Sequence, residues 1–428
     1  MPPTRQTSAA IAYGRGKIDL PLNPALADWD IIQGGDAEAI SDFEASFKKA
    51  VECPTKSAPL REIINADDSV VIVTSDGTRP VPNRLLIPAI VQHCRLRPEN
   101  VTILIGTGTH RPPSTEDLTD LLGTSIVNRY RVVCHNVATA EQLEFLGRSR
   151  SGVPVFINKE YLKASNKIVI GFIEPHFFAG FSGGAKGICP AICGMETINS
   201  FHSFDIIAHP RSDYGELEDN PQQLLAREIA SLAPPDFLVN VTLNSAKQVT
   251  GIYAGDYIEA HRVGAHDSLR VANARVKKYY PLVIVSNSGY PLDQNLYQTV
   301  KGITTASRIV AEGGIILAVS ECSRGISDDG NFAQILSSAD TPTAILDLIS
   351  EPSYRVSDRW QVQKLLQIVM KARVYLLSEL SREKTASCRM IKVNSIIEVV
   401  KGVTNEYGPH PSVAIIPDGP LTLPMFDA

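Results

Sequence analysis

Several things are scarce in this sequence, and each scarcity narrows what it can be. No apolar run approaches the length of a bilayer span, so no membrane helix is expected. Positive charge is not in excess. Lys and Arg number 41 against 46 Asp and Glu, a net charge of −5, which removes the electrostatic case for nucleic acid. Cysteines number seven, odd and scattered, the pattern of reduced thiols in a cytoplasm rather than of a disulfide scaffold. Cys189 and Cys193 are the closest pair, but no second pair completes a zinc site, and two buried thiols on one helix are expected instead. The start, MPPTRQTSAAIAYGRGK, has no apolar h-region, so no secretory leader is expected.

What is present fits a globular chain. Its 428 residues, 44% hydrophobic and 20% charged, suffice for two or three domains with substantial cores. Strand-like β-branched runs at 70–74, 101–105 and 168–173 are each followed by a polar, glycine-bearing loop. The loops carry Asp76 and Arg79, then His110, then His176 and Lys186 among Gly180, Gly183, Gly184 and Gly187. Ligands of open α/β sheets bind beyond the carboxyl ends of the strands, so these five side chains are expected at one sheet edge. A lysine among glycines beyond a strand suits an anionic ligand, and an arginine in a stiff loop suits a carboxylate or phosphate. A structural Asp76–Arg79 pair is the plainer alternative.

Two nucleotide signatures fail in detail. From Gly180 the spacing nearly matches GxxxxGK[ST], but Ala185 replaces the second glycine and Gly187 the magnesium-binding hydroxyl. Gly106 and Gly108 begin a dinucleotide fingerprint that lacks its third glycine. His135 has no comparable loop and is set aside.

Helices are expected at 37–51, 84–96 and 256–276, and further strands at 237–243, 281–289, 314–320, 373–380 and 412–419. Alternating strands and helices predict an α/β fold of two domains, each with a mainly parallel, Rossmann-like sheet, divided as 1–275 and 276–428. A cleft between them is the expected active site. In the second domain Asp293 is the expected helix cap. Tyr297 and Lys301, four apart, then share a helix face with Gln294 and Gln298. That face is either a clamp for a small anion or an ordinary solvated surface.

Five stretches in order, DGTRP (76–80), GTGTHR (106–111), EPHFFAGFSGGAKG (174–187), the histidine of NSFHS (199–203) and LYQTVKG (296–302), resemble the nickel-pincer-nucleotide lactate racemase family. The resemblance runs from YGRGKIDLPL to the last strand. It implies an isomerase that racemises or epimerises a 2-hydroxy acid by reversible hydride transfer through a transient 2-oxo acid. Its cofactor would be a pyridinium-3,5-bisthiocarboxylic acid mononucleotide holding nickel through S, C and S. The resemblance further implies that Lys186 tethers this cofactor covalently and that His202 is the fourth nickel ligand, a donor type that suits nickel. His110 and His176 would be the acid/base pair. Asp76, Arg79, Gly183 and Gly184 would help hold the cofactor, and Arg79, Tyr297, Gln298 and Lys301 the substrate. Proteins that build and load the cofactor would be partners. An epimerase of a larger aromatic, dicarboxylic or sugar acid, and a non-catalytic cofactor carrier, are the alternatives. Retention of both histidines speaks against the carrier. Ala179 stands where a hydroxyl would be unsurprising, and Trp360 lies outside the motifs.

Overall fold

The computed structural model describes residues 7–327 and 330–426. The first six residues, part of the stretch considered for a leader, lie outside the described residues, as do the outermost residues of both expected domains. The chain forms two compact units: residues 36–271 make one, and residues up to 35 together with those from 272 onward make the other. After an antiparallel hairpin of Ser8–Tyr13 with Gly16–Pro21, the first strand of the two large sheets, β1 (Asp28–Ile31), belongs to the second of these units. The 36–271 unit follows with β2 (Val70–Ser75), β3 (Val101–Gly106), β4 (Arg131–Cys134), β5 (Asn166–Phe172), β6 (Phe237–Leu243) and β7 (Val249–Gly255). The chain then returns with β8 (Tyr280–Ser286), β9 (Val310–Val319), β10 (Arg373–Leu377), β11 (Ile391–Val393) and β12 (Ser412–Ile416).

Among the described residues each unit holds one six-stranded sheet, in the orders β7-β6-β5-β2-β3-β4 and β11-β10-β9-β8-β12-β1. Every pairing is parallel except β6 with β7. The expected α/β class with mainly parallel sheets is the one observed. Central strands such as β2, VVIVTS, are apolar on both faces because helices cover both, and Val70–Val73 are almost wholly buried. Each such side chain contributes about 1.5–3 kcal/mol of transfer free energy. Ile72, Ile103, Ile168 and Phe237 pack with Leu86, Ile87 and Ile90 of the helix Asn83–Cys94 in one core.

The domain division differs from 1–275 and 276–428. β1 adds in parallel to β12, pairing Asp28–Ile31 with Ser412–Ile415, while Ala9, Ile11, Leu20 and Ala27 pack with Leu282, Ile284 and Val413. The N-terminal 35 residues therefore complete the C-terminal unit, a long-range pairing that local composition does not announce.

Helix ends differ from expectation where a side chain caps the backbone. Asp42 accepts from the Ala45 N–H, so the first helix is Phe43–Glu52 rather than 37–51. Asp256 accepts from the Ile258 and Glu259 N–H groups and starts Glu259–Ala272. Asn295, not Asp293, caps Leu296–Ser307, accepting from the Gln298 N–H. Asp293 is instead fully buried and accepts from the Gly14 and Glu321 N–H groups at 2.6 and 3.2 Å. Cys189 and Cys193 are buried as expected but do not share a helix: Cys189 lies in a turn and Cys193 pairs with Ile157 in an isolated antiparallel bridge. Among the described residues, no helix is long and apolar enough to cross a membrane.

Candidate active site

The site follows from the strand order. From β2 the chain runs outward through β3 and β4, then returns to the other side of β2 with β5 and β6. This reversal puts a topological switch point between β2 and β5, where the loops after them diverge. The loop after β2 carries Asp76 and Arg79, that after β5 runs from Ile173 to Lys186, and that after neighbouring β3 carries His110.

The β2 loop is shaped by Asp76. Its Oδ1 accepts from the Thr78 N–H at 3.1 Å and the Thr78 hydroxyl at 2.5 Å, and its Oδ2 lies 2.7 Å from His110 Nδ1. Burial pushes the Asp76 carboxyl up, but His110, the Thr78 hydroxyl and Arg79 outweigh it and hold the group at about 2. An ionised carboxylate can only accept, so His110 carries a proton on Nδ1, and in the neutral ring the lone pair falls on Nε2. The His110 side chain is 38% exposed, within reach of a small molecule.

His176 is fixed the other way round. It is buried, stacks on Phe177 at 5.0 Å, and its Nδ1 accepts from the backbone N–H groups of Phe178 and Ala179 at 3.5 and 3.3 Å. Backbone N–H groups only donate, so a neutral His176 carries its proton on Nε2. One histidine thus presents an acceptor and the other a donor. Between their loops Arg79 Nε lies 3.9 Å from Glu174 Oε1.

Phe178 is the hub of the remaining groups. Its ring centroid lies 4.5 Å from that of His176, 5.8 Å from that of His202 and 5.9 Å from Lys186 Nζ. Lys186 sits on the one-turn 3-10 segment Gly184–Gly187, and His202 closes the helix Met195–Phe201. His202 Nδ1 donates to the Ile198 carbonyl at 3.1 Å, which leaves the lone pair on Nε2. A histidine oriented through one nitrogen by a carbonyl is the usual state of a metal ligand. Among the described residues no group of three or more His, Cys, Asp and Glu could hold a metal. His202 and Lys186 both lie near the Phe178 ring, and one carbonyl-oriented imidazole with a lysine suits a metal that brings its own ligands rather than a free ion.

The 36–271 unit therefore carries Asp76, Arg79, His110, His176, Gly183, Gly184, Lys186 and His202. The other unit carries the remaining three. Tyr297 and Lys301 share a face of Leu296–Ser307, and the Gln298 Oε1 is buried without a hydrogen-bond partner among the described residues. Trp360 joins them: its Nε1 donates to the Tyr297 hydroxyl at 3.2 Å, and Gln361 Nε2 donates to the Tyr297 carbonyl at 2.6 Å. Sequence reasoning missed Glu174, although it lies inside a quoted motif. It also missed Asn240 and His261, which brace the lysine loop from distant elements. His135 is a buried strut, donating to the Cys193 carbonyl at 3.0 Å and accepting from Asn158 at 3.1 Å.

Comparison with known proteins identifies the family. The family description "Lactate racemase N-terminal domain" matches residues 13–215, and "Lactate racemase C-terminal domain" matches residues 276–422. The lactate racemase of Thermoanaerobacterium thermosaccharolyticum is 32% identical over 418 residues, 96% of this chain and 97% of that protein.

The chain belongs to the lactate racemase family.

That of Lactiplantibacillus plantarum is 34% identical over 384 residues, 88% of this chain and 89% of its own. Among solved structures, the lactate racemase apoprotein from Thermoanaerobacterium thermosaccharolyticum matches with a TM-score of 0.89 at 30% identity, covering 98% of this chain and all of that one. A Thermotoga maritima protein, at 17% identity and a TM-score of 0.70 over 92% of this chain and all of its own, shares the fold. As a member of this family the chain is an isomerase, a racemase.

Proposed function

We propose that this racemase interconverts the enantiomers of a 2-hydroxy acid, lactate or a close relative, using a nickel-pincer nucleotide tethered at Lys186 with His202 as the protein's nickel ligand. When bound, that group would supply a hydride acceptor and donor, so that the carbon-bound hydrogen need not leave as a proton. Such a proton is very weakly acidic beside a carboxylate. The observation that carries the reading is the pair of oppositely fixed histidines at the switch point. His110, held by Asp76, takes the hydroxyl proton at Nε2 while neutral, and His176, cationic at that moment, returns a proton from Nε2 to the substrate oxygen, so the pair holds one extra proton throughout. The reverse direction exchanges these roles. Arg79 takes the substrate carboxylate, an ordering contribution. Phe177 and Phe178 keep water from the reacting centre. Tyr297, Gln298 and Lys301 are assigned to the substrate, and Gly183 and Gly184 to the cofactor loop. The likeness to two named lactate racemases supports lactate as the first acid to try.

Proteins that build the cofactor are the proposed partners, and the 2-hydroxy acid the ligand. All seven cysteines are unpaired, which supports a cytoplasmic place of action. Peptide mass mapping tests the tether. Protein made with the cofactor-building proteins should carry an adduct at Lys186, and His202→Ala should keep the adduct while losing nickel on dialysis. An unmodified Lys186 in fully active enzyme would exclude the tether, and unchanged nickel in His202→Ala would exclude that ligand.

A further inference from the structure

The loop that presents Lys186 is held by two side chains that no motif contains. Asn240 stands in the middle of β6, and its Oδ1 accepts from the Gly184 N–H at 2.8 Å. His261 stands on the helix Glu259–Ala272, fully buried, and its Nε2 donates to the Ser182 carbonyl at 2.8 Å. The fit is close on both sides. A Cβ on Gly183 would come within 2.5 Å of Asn240 Oδ1, and one on Gly184 within 2.6 Å of the His261 ring. Both glycines also have positive φ, +79° and +57°. Ser182 adds a third anchor, its hydroxyl donating to the Phe172 carbonyl at 2.7 Å and accepting from the Glu174 N–H at 2.9 Å. Lys186 is one step further on, its N–H donating to the Gly183 carbonyl at 3.2 Å.

The chemistry of the two braces shows that they are not ordinary core. An amide in a central strand and an imidazole deep in a helix interface are both costly to bury, and Asn240 Nδ2 has no hydrogen-bond partner among the described residues. Apolar residues of similar size would fill either place at less cost. What they would not do is bond the backbone on both sides of Gly183. Burial holds the His261 ring well below the usual imidazole range, against the opposing effect of its bond to Ser182, so it stays a neutral donor at neutral pH.

We infer that Asn240 and His261 are positioning residues: they clamp the Ser182–Gly184 backbone so that Lys186 is held in place for attachment. They touch neither substrate nor cofactor and act only through the loop. The inference rests on the tether reading in one of its readouts and is independent of it in the others.

The test begins with the parent protein free of cofactor. Hydrogen exchange should find the Gly184 amide protected, as its bond to Asn240 requires. Reductive methylation, followed by peptide mass mapping, should find Lys186 slower than the surface lysines. In His261→Leu and Asn240→Ala, Lys186 should be labelled on the order of fivefold faster or more, the size expected for losing one hydrogen bond. His261→Gln, whose amide can donate to Ser182, should behave as the parent. A purely structural role would predict similar losses for both His261 variants. Prepared with the cofactor-building proteins, His261→Leu should carry correspondingly less Lys186 adduct and His261→Gln the parental amount. A folded His261→Leu that labels and loads like the parent overturns the inference. Should the disruptive variants not fold, fast exchange at Gly184 in the parent, or loose labelling in His261→Gln, overturns it instead. A parent that never acquires the adduct sinks the tether reading alone and leaves the labelling result to judge the clamp.

Discussion

Asp76 decides which nitrogen of His110 is able to take a proton, and that is a matter of one hydrogen bond 2.7 Å long. Asp76→Asn keeps the size but replaces an anion by an amide. His110 is then free to carry its proton on Nε2, the wrong side for a base. The expected result is a fall in kcat of about a hundredfold to ten-thousandfold with an intact fold, the range for losing a general base. Steady-state kinetics beside circular dichroism check it, and a variant within twofold of the parent would remove Asp76 from this role. The pairing was not legible in the sequence. His110, His176 and Lys186 were recognisable one by one, as polar residues in strand-end loops. That Asp76 bonds His110 across 34 positions depends on β2 lying beside β3, and no local pattern states which strands are neighbours. His261 carried no signal at all, being one histidine in a charged helix. Asp293 carried a misleading one. Its position before a helical stretch is that of a cap, yet it is buried beneath the Gly14 loop and Asn295 caps instead.

At the scale of elements, strands were the legible part. Their β-branched runs are long enough to be unambiguous when both faces are buried. Helix ends were less so, because the cap that sets each start, Asp42 or Asp256, is one polar residue among several candidates. The elements around the site are tied together by two buried neutral histidines, and this gives the fold a pH dependence. Burial pushes the His135 ring down to about 4, against its bond to the Cys193 carbonyl, and does the same to His261. Both folded values lie below the ordinary value of 6.5, so on acidification the unfolded chain takes up protons first. Their contribution is complete above about pH 6.5 and is lost as pH falls toward 4, at most about 3 kcal/mol for each. Asp76, held at about 2, adds to the loss only below its ordinary value of 3.8. The midpoint of urea unfolding of the 36–271 unit should therefore fall between pH 7 and pH 5. His135→Gln should fall less. Equal midpoints at the two pH values would show that these rings are not buried neutral in solution.

At the scale of the whole molecule, one compact unit is continuous in sequence and the other draws on both ends of the chain. An alternation of strands and helices fixes a class, not the unit a short N-terminal strand joins. Because Ile11, Leu20 and Ala27 complete the core around Leu282 and Ile284, a fragment beginning at 276 should be unstable alone. Fusing residues 1–35 to it should restore a cooperative urea transition, and a fragment that is equally stable without them would contradict the assignment. Racemisation by the loaded protein is the sharpest readout of these residues. Protein made with the cofactor-building proteins, with its Lys186 adduct and nickel verified, is given pure D-lactate and pure L-lactate in separate reactions followed by chiral chromatography. Both reactions should approach the same mixture, and His110→Ala and His176→Ala, equally loaded, should each be slower by about a hundredfold or more. If the verified protein leaves both enantiomers unchanged, or if both variants racemise at the parent rate, the reading of these residues as a racemase site is wrong.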